Sequence, residues 1–265
     1  MRIHELKYAN TNTWLIEGKK GRLLFDTGWA GSFPVFCGCM GEAGIPVQKI
    51  DYILISHFHP DHMGIAQEIA SHGAVILVMD VQQGFTHVPD GVFEKEGNRA
   101  FLPIEDDKVR VVTIRESREF LREIGIDGEI LSTPGHTDDS ISLWLDDGTL
   151  FVGDLNPLYE RELHHGTQIE KSWQTLLSLK PVTIHYGHAA TAHLDRTAAA
   201  PPQRDDLYEL TRRIMKYIDK GVPLARIQKK TGADQQFVED VTRMYLTHRD
   251  VGVQGILDRI EIKGR

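Results

Sequence analysis

Three imidazoles and a carboxylate crowd into six residues of this chain, His57-Phe58-His59-Pro60-Asp61-His62. They come directly after residues 51–56, a nearly continuous apolar run of the kind that forms a strand buried on both faces. Any fold that accepts this segment must end a strand there, turn sharply and gather polar side chains at one point. Such a cluster is costly to assemble unless something positive holds it, and side chains converging from a strand end suit coordination of a divalent metal. Pro60 stiffens the turn, and a helix expected to begin near residues 61–63 turns its positive end towards Asp61. A solvated polar loop is a poor account of so many donors in so short a stretch.

The segments around it set the class. Residues 12–17 and 22–26 read as strands joined by Gly18-Lys19-Lys20-Gly21, a hairpin-like opening. Further strands are expected at 74–79, 108–114, 129–132, 140–145, 149–152 and 182–185. Helices are expected around Ile65 and Ile69, stopping near Gly73, and at 118–124 and 169–179. Strands interleaved with helices make an α/β protein. Three of the strands run into a further metal-ligand type, often just after a glycine: Thr133-Pro134-Gly135-His136, Val152-Gly153-Asp154 and Tyr186-Gly187-His188. Donors at several strand ends would collect along one edge of a sheet.

Composition narrows the classes. With 265 residues, 41% apolar and 26% charged, the chain has room for one or two globular domains. Its net charge of −8 speaks against coating nucleic acid or anionic lipid. Cys37 and Cys39 lie too close together for a disulfide framework and read as small packing residues. The first 14 residues lack an apolar leader, and the longest apolar run, 74–79, falls far short of a membrane span. A cytoplasmic location and no membrane partner are therefore expected. A composition change at Ala198-Ala199-Ala200-Pro201-Pro202-Gln203 is read as a linker between a catalytic domain, 1–200, and a helical extension, 205–265. The extension holds 12 basic and 10 acidic side chains, against 18 and 28 before it. Three helices are expected there, one carrying Leu207, Leu210, Ile214 and Ile218 on one face, a short one from Leu224, and one with Phe237, Val241, Met244 and Tyr245. Its near-neutral charge makes a poor footprint for DNA, so nucleic acid is disfavoured as a partner. A cap over the site or the surface of a homodimer is the better expectation.

Taken with Asp26-Thr27-Gly28, the histidine and aspartate motifs make the sequence resemble the metallo-β-lactamase-fold hydrolase superfamily from about residue 12 to 193. The resemblance implies a four-layer αββα sandwich. It implies that His57, His59 and His136 bind one metal, that Asp61, His62 and His188 bind a second, and that Asp154 bridges both. Asp26 resembles the carboxylate that steadies the ligand loop from behind. The commonest zinc β-lactamases carry a cysteine at the position of Asp154 and no equivalent of His62, so the chain is more similar to the glyoxalase II-like and lactonase-like branches. Flavodiiron proteins have a glutamate where this chain has His59, which disfavours oxygen reduction. Tyr186 stands where the family often has a proline or other small residue.

The resemblance implies two divalent ions, zinc first and iron or manganese next, sharing an activated water with Asp61 and Asp154 as catalytic carboxylates. The expected reaction is hydrolysis of a small ester, thioester or lactone. The alternatives are phosphodiester hydrolysis of a small nucleotide and mononuclear iron dioxygenation on the same fold. Tyr159 is a candidate hydrogen-bond donor to a substrate oxyanion, though an ordinary aromatic role is the stronger reading. His164 and His165 read as a solvated loop near the pocket mouth, His193 as close to the site or exposed, and His185 as a buried strand histidine. His4, His72, His87 and His248 have no motif around them.

Overall fold

The computed structural model describes residues 1–194, 206–248 and 251–263. The linker expected at 198–203 lies outside the described residues. The first half of the chain builds a six-stranded sheet in sequence order, β1 (Arg2–Tyr8), β2 (Thr11–Glu17), β3 (Arg22–Phe25), β4 (Tyr52–Leu54), β5 (Val75–Met79) and β6 (Val109–Val112). Strands β1 to β3 pair antiparallel, and β3 to β6 pair parallel. The second sheet holds β7 (Gly128–Ser132), β8 (Ile141–Leu145), β9 (Thr149–Phe151), β10 (Thr183–His185) and β11 (Ala192–His193), in the order β11-β10-β9-β8-β7.

Alternation along the strands creates three cores. On the first sheet Trp14, Ile16, Leu23, Phe25, Leu54 and Leu77 point one way and meet Ile130, Ile141, Leu143 and Phe151 of the second sheet. Their neighbours Leu15, Leu24, Ile53, Ile76 and Val78 point the other way. There they pack with α1 (Phe33–Glu42), α2 (Pro60–Met63), α3 (Ala66–Ala70) and α4 (Asp90–Glu96), through Phe36, Met40, Met63, Ile69 and Phe93. Helix α5 (Ser117–Glu123) adds Phe120 and Leu121 to the core between the sheets. On the outer face of the second sheet, α6 (Gln168–Ser178) sets Ile169, Trp173 and Leu176 against Trp144, Leu150 and Ile184. The layers run helix, sheet, sheet, helix, as expected for the αββα sandwich.

The end of the chain forms α7 (Asp206–Asp219), α8 (Leu224–Thr231), α9 (Gln235–Thr247) and α10 (Val253–Lys263) around a separate small core of Ile214, Ile227, Val238, Val241 and Ile256. Three helices were expected there; α10 is the fourth, and Gly255 within it weakens its pattern. No helix among the described residues is long and apolar enough to cross a membrane. Strand β1 was not expected either. It is a sheet edge that mixes Arg2, His4, Glu5 and Lys7 with few buried residues, the charged composition that protects an edge from pairing with another chain.

Candidate metal centre

The strand ends do the positioning. His57 follows the last residue of β4 by three positions, as Asp154 follows β9 and His188 follows β10. Because β9 and β10 run parallel with Phe151 opposite His185, Asp154 and His188 emerge side by side at one edge. His59 precedes the short helix α2, which carries Asp61 and His62, and His136 lies in the loop between β7 and β8. All seven residues singled out in the sequence come together. Their ligand atoms form three sets, each within 4.8 Å: His57, His59 and His136; His57, His62 and Asp154; Asp61, His62 and His188. A side chain at Gly187 would not fit in this space, since its Cβ would stand 2.6 Å from Asp154 Oδ1 and 2.8 Å from His62 Cε1.

The donor spacings suit a cation. His59 Nδ1 lies 3.2 Å from His136 Nε2, His62 Nε2 lies 3.3 Å from His188 Nε2, and His188 Nε2 lies 3.1 Å from Asp61 Oδ2. Ligands at 2.0–2.1 Å around a tetrahedral ion such as zinc are about 3.3 Å apart, and these spacings match the edges of such a polyhedron. The two oxygens of Asp154 divide between the groups: Oδ1 is 3.2 Å from His62 Nε2 and 3.4 Å from His188 Nε2, while Oδ2 is 3.6 Å from His136 Nε2. His57 Nε2 is buried with no hydrogen-bond partner. An orphaned imidazole nitrogen among clustered donors fits a metal ligand and fits no packing role.

The profile of the Metallo-beta-lactamase superfamily matches residues 7–188. The chain belongs to this superfamily. It is similar to "Beta-lactamase-like protein 2 homolog" of Drosophila melanogaster, 30% identical over 190 residues that cover 67% of this chain and 58% of that protein. It is also similar to "Thioesterase pkgB" of Emericella nidulans, 24% identical over 82% of this chain and 52% of that one. The chain thus spans little more than half the length of these relatives. Among solved structures, a metallo-beta-lactamase family protein from Thermus thermophilus shares the fold with a TM-score of 0.52 at 18% identity, covering 99% of this chain and 94% of that one.

Within the superfamily fold, fixed partners aim three of the five rings. Asp26, fully buried and at φ 61°, accepts Ser56 N–H (2.7 Å) and Ser56 Oγ–H (2.9 Å), and its Oδ2 is 2.8 Å from His62 Nδ1. Ser56 Oγ, 3.0 Å from His57 Nδ1, accepts from that ring in turn. His188 Nδ1 donates to the Asn10 carbonyl (2.7 Å). Each bond assigns a proton to Nδ1 and leaves Nε2 free to face the site. Tyr186 is buried and accepts the Leu158 N–H, and the Asn12 side chain donates to its carbonyl, so the strand end that carries His188 is held from both sides. Asp139, missed in the sequence, is buried and accepts the Phe58 N–H (2.7 Å), which ties the His136 loop to the His57–His59 loop. Its only sequence signal is its place three residues after His136.

The electrostatics follow from burial. Burial, with the neighbouring rings of His62 and His136, holds His57 well below the usual histidine range, and burial takes His136 down to about 4. Both are neutral near pH 7, the state a ligand needs. Burial also opposes charge on His62, but Asp154 and Asp26 on either side outweigh it and raise its pKa well above the usual value. Burial works against ionised Asp61 and Asp154 too, yet His188 and His62 keep both carboxyls below the normal range.

The remaining candidates fall elsewhere. Tyr159 gives its hydroxyl to Asp258 on α10. His164 is buried beside a cavity of about 480 Å³ that reaches Gly135, and His165 is exposed and pairs with Glu170. His193, at the exposed edge, meets Thr183, and His185 stacks on Phe151 between the sheets. His4 and His87 pair with surface carboxylates, and His72 stacks on Phe33. Cys37 and Cys39 are free and partly buried. His248, which had no motif around it, lines a cavity of about 750 Å³ with Asp61, Trp29, Arg243 and Met244. Helix α9 thereby forms one wall of the space in front of the site.

Proposed function

We propose that the protein is a metal-dependent hydrolase of a small ester, thioester or lactone, with two ions held by His57, His59, His136 and by Asp61, His62, His188, and with Asp154 shared between them. The observation that carries this reading is the division of Asp154, one oxygen turned to each histidine group. When bound, such ions supply Lewis acidity that polarises a carbonyl and lowers the pKa of a water towards about 7. The chain's own residues do the rest. Asp26 and Ser56 hold two rings in the ligating tautomer, and Asp61, ionised beside His188, is placed to accept a hydrogen bond from a water and orient it. The cavity that joins Asp61 to Trp29, Met244 and His248 has room for a small molecule with an apolar part. The relative named a thioesterase puts thioesters first among the substrates.

The test is elemental analysis of the purified chain, together with turnover of thioester, lactone and phosphodiester panels by wild type and Asp154→Ala. Near two metals per chain and thioester or lactone turnover, both lost in the variant, are expected. One iron with oxygen-dependent turnover, or full metal and activity in Asp154→Ala, would overturn the reading.

A further inference from the structure

Helix α10 brings an arginine to the edge of the site. Arg259 is only 6% exposed and lines a narrow crevice with Gly153, Asp154 and His188. A guanidinium keeps its charge under all ordinary conditions and offers five N–H donors. Here the described partners use almost none of them. Nη1 donates one long bond (3.3 Å) to the Gly255 carbonyl, a turn earlier in its own helix. Nε is buried with no partner at all. No carboxylate among the described residues lies within 4.0 Å of the group: Asp258 next to it is taken up by Tyr159 and Gln254.

A buried guanidinium with most of its donors unmet is destabilising, and an orphaned buried donor beside a functional centre points to a partner that completes it. We propose that Arg259 is an oxyanion receptor in the wall of the metal site, and that the substrate carries a carboxylate or phosphate group close to its scissile bond. The edge formed by Nε and the Nη groups matches two oxygens of either anion in a fork-like pair. The assignment deepens the hydrolase reading and rests on it, since ions at the His/Asp groups would neutralise Asp154 and Asp61 and leave the guanidinium beside Asp154 open to an anionic substrate group. It also gives α10 a role beyond packing: the helical end of the chain would select the substrate that the sandwich cleaves.

The test compares the full chain with Arg259→Gln, Arg259→Met and Arg259→Lys, each zinc-loaded and metal-free. Thermal melting is followed in graded acetate and, separately, inorganic phosphate. Wild type is expected to melt higher as one of these anions is added, at concentrations at least tenfold lower than Arg259→Gln requires, with Arg259→Lys between them. Which anion does so distinguishes a carboxylate substrate from a phosphate one. Without anion, Arg259→Met is expected to melt at or above wild type. An anion response unchanged in Arg259→Gln overturns the proposal, as does an Arg259→Met variant that melts far below wild type with its anion response intact. Zinc content of the same samples reports on the metal reading alone. Wild type that takes up no zinc counts against that reading, and the Arg259 comparison is then decided on the metal-free chain.

Discussion

The carboxylate behind the histidines offers the sharpest test of how the centre is held. Asp26 uses its two oxygens differently: Oδ1 takes the Ser56 N–H, while Oδ2 takes Ser56 Oγ–H and faces His62 Nδ1. Asparagine is its isostere and tolerates the positive φ of 61° that alanine would resist by about 1–2 kcal/mol. In Asp26→Asn only one oxygen remains. If it keeps the Ser56 N–H, the new amide NH₂ points at His62 Nδ1, and that ring must carry its proton on Nε2, the atom turned to Asp154 and His188. The expected result is a loss of about 10–100-fold in affinity at the His62–His188 group, or about 1.4–2.7 kcal/mol. The metal-free chain should lose about 1–3 kcal/mol of folding stability from the changed buried bonds. Competition with a chromophoric chelator gives the affinity, elemental analysis the stoichiometry, and guanidinium unfolding of the metal-free chain the stability. An asparagine variant that holds both ions with affinity within twofold of wild type would refute the reasoning, because the tautomer of His62 would then not depend on Asp26.

Two further predictions concern stability. Burial between Trp14 and Phe151 lowers His185 from 6.5 to about 4, so the unfolded chain takes up its proton first as the pH falls. His185 therefore contributes no pH dependence above about 6.5 and costs up to about 3 kcal/mol as pH drops towards 4. Metal-free His185→Leu should show a shallower fall in unfolding free energy across that window, and a slope equal to wild type would contradict the assignment. Buried Glu160 accepts the Gly252 N–H (2.7 Å) just before α10 and the Asn156 side-chain N–H (3.1 Å). Glu160→Ala should release α10, speeding amide exchange at 253–263 by at least tenfold while the sheets keep their protection. Exchange that stays at the wild-type rate would show that this bond does not anchor the helix.

The sequence could bring the site's donors to one place because they obey a local rule. His57, Asp154 and His188 each stand three residues past the end of a strand, and parallel pairing turns that shared offset into a shared place. The alternation in β2, β3 and β5 likewise carries the layered core. What stayed hidden depends on distant partners. Asp139 acquires its role only when the two loops meet, and Arg259 and His248 only when the final helices fold against the site, so nothing beside them in sequence marks them. Strand β1 and helix α1 were missed for another reason. The first is an exposed edge with little apolar pattern, and the second has glycines at 38 and 41 and no strong apolar face.

The two sheets divide the chain cleanly, residues 2–112 in one and 128–193 in the other, and they divide the donors as well. The first half owns His57, His59, Asp61 and His62; the second owns His136, Asp154 and His188. Two of the three donor sets draw on both halves through His57, and the third joins Asp61 and His62 to His188. A chain cut between residues 112 and 128 would thus yield two fragments, neither with a complete set. An ion captured at this seam would report that the halves had found each other, much as a clasp closes only when both ends of a bracelet are present.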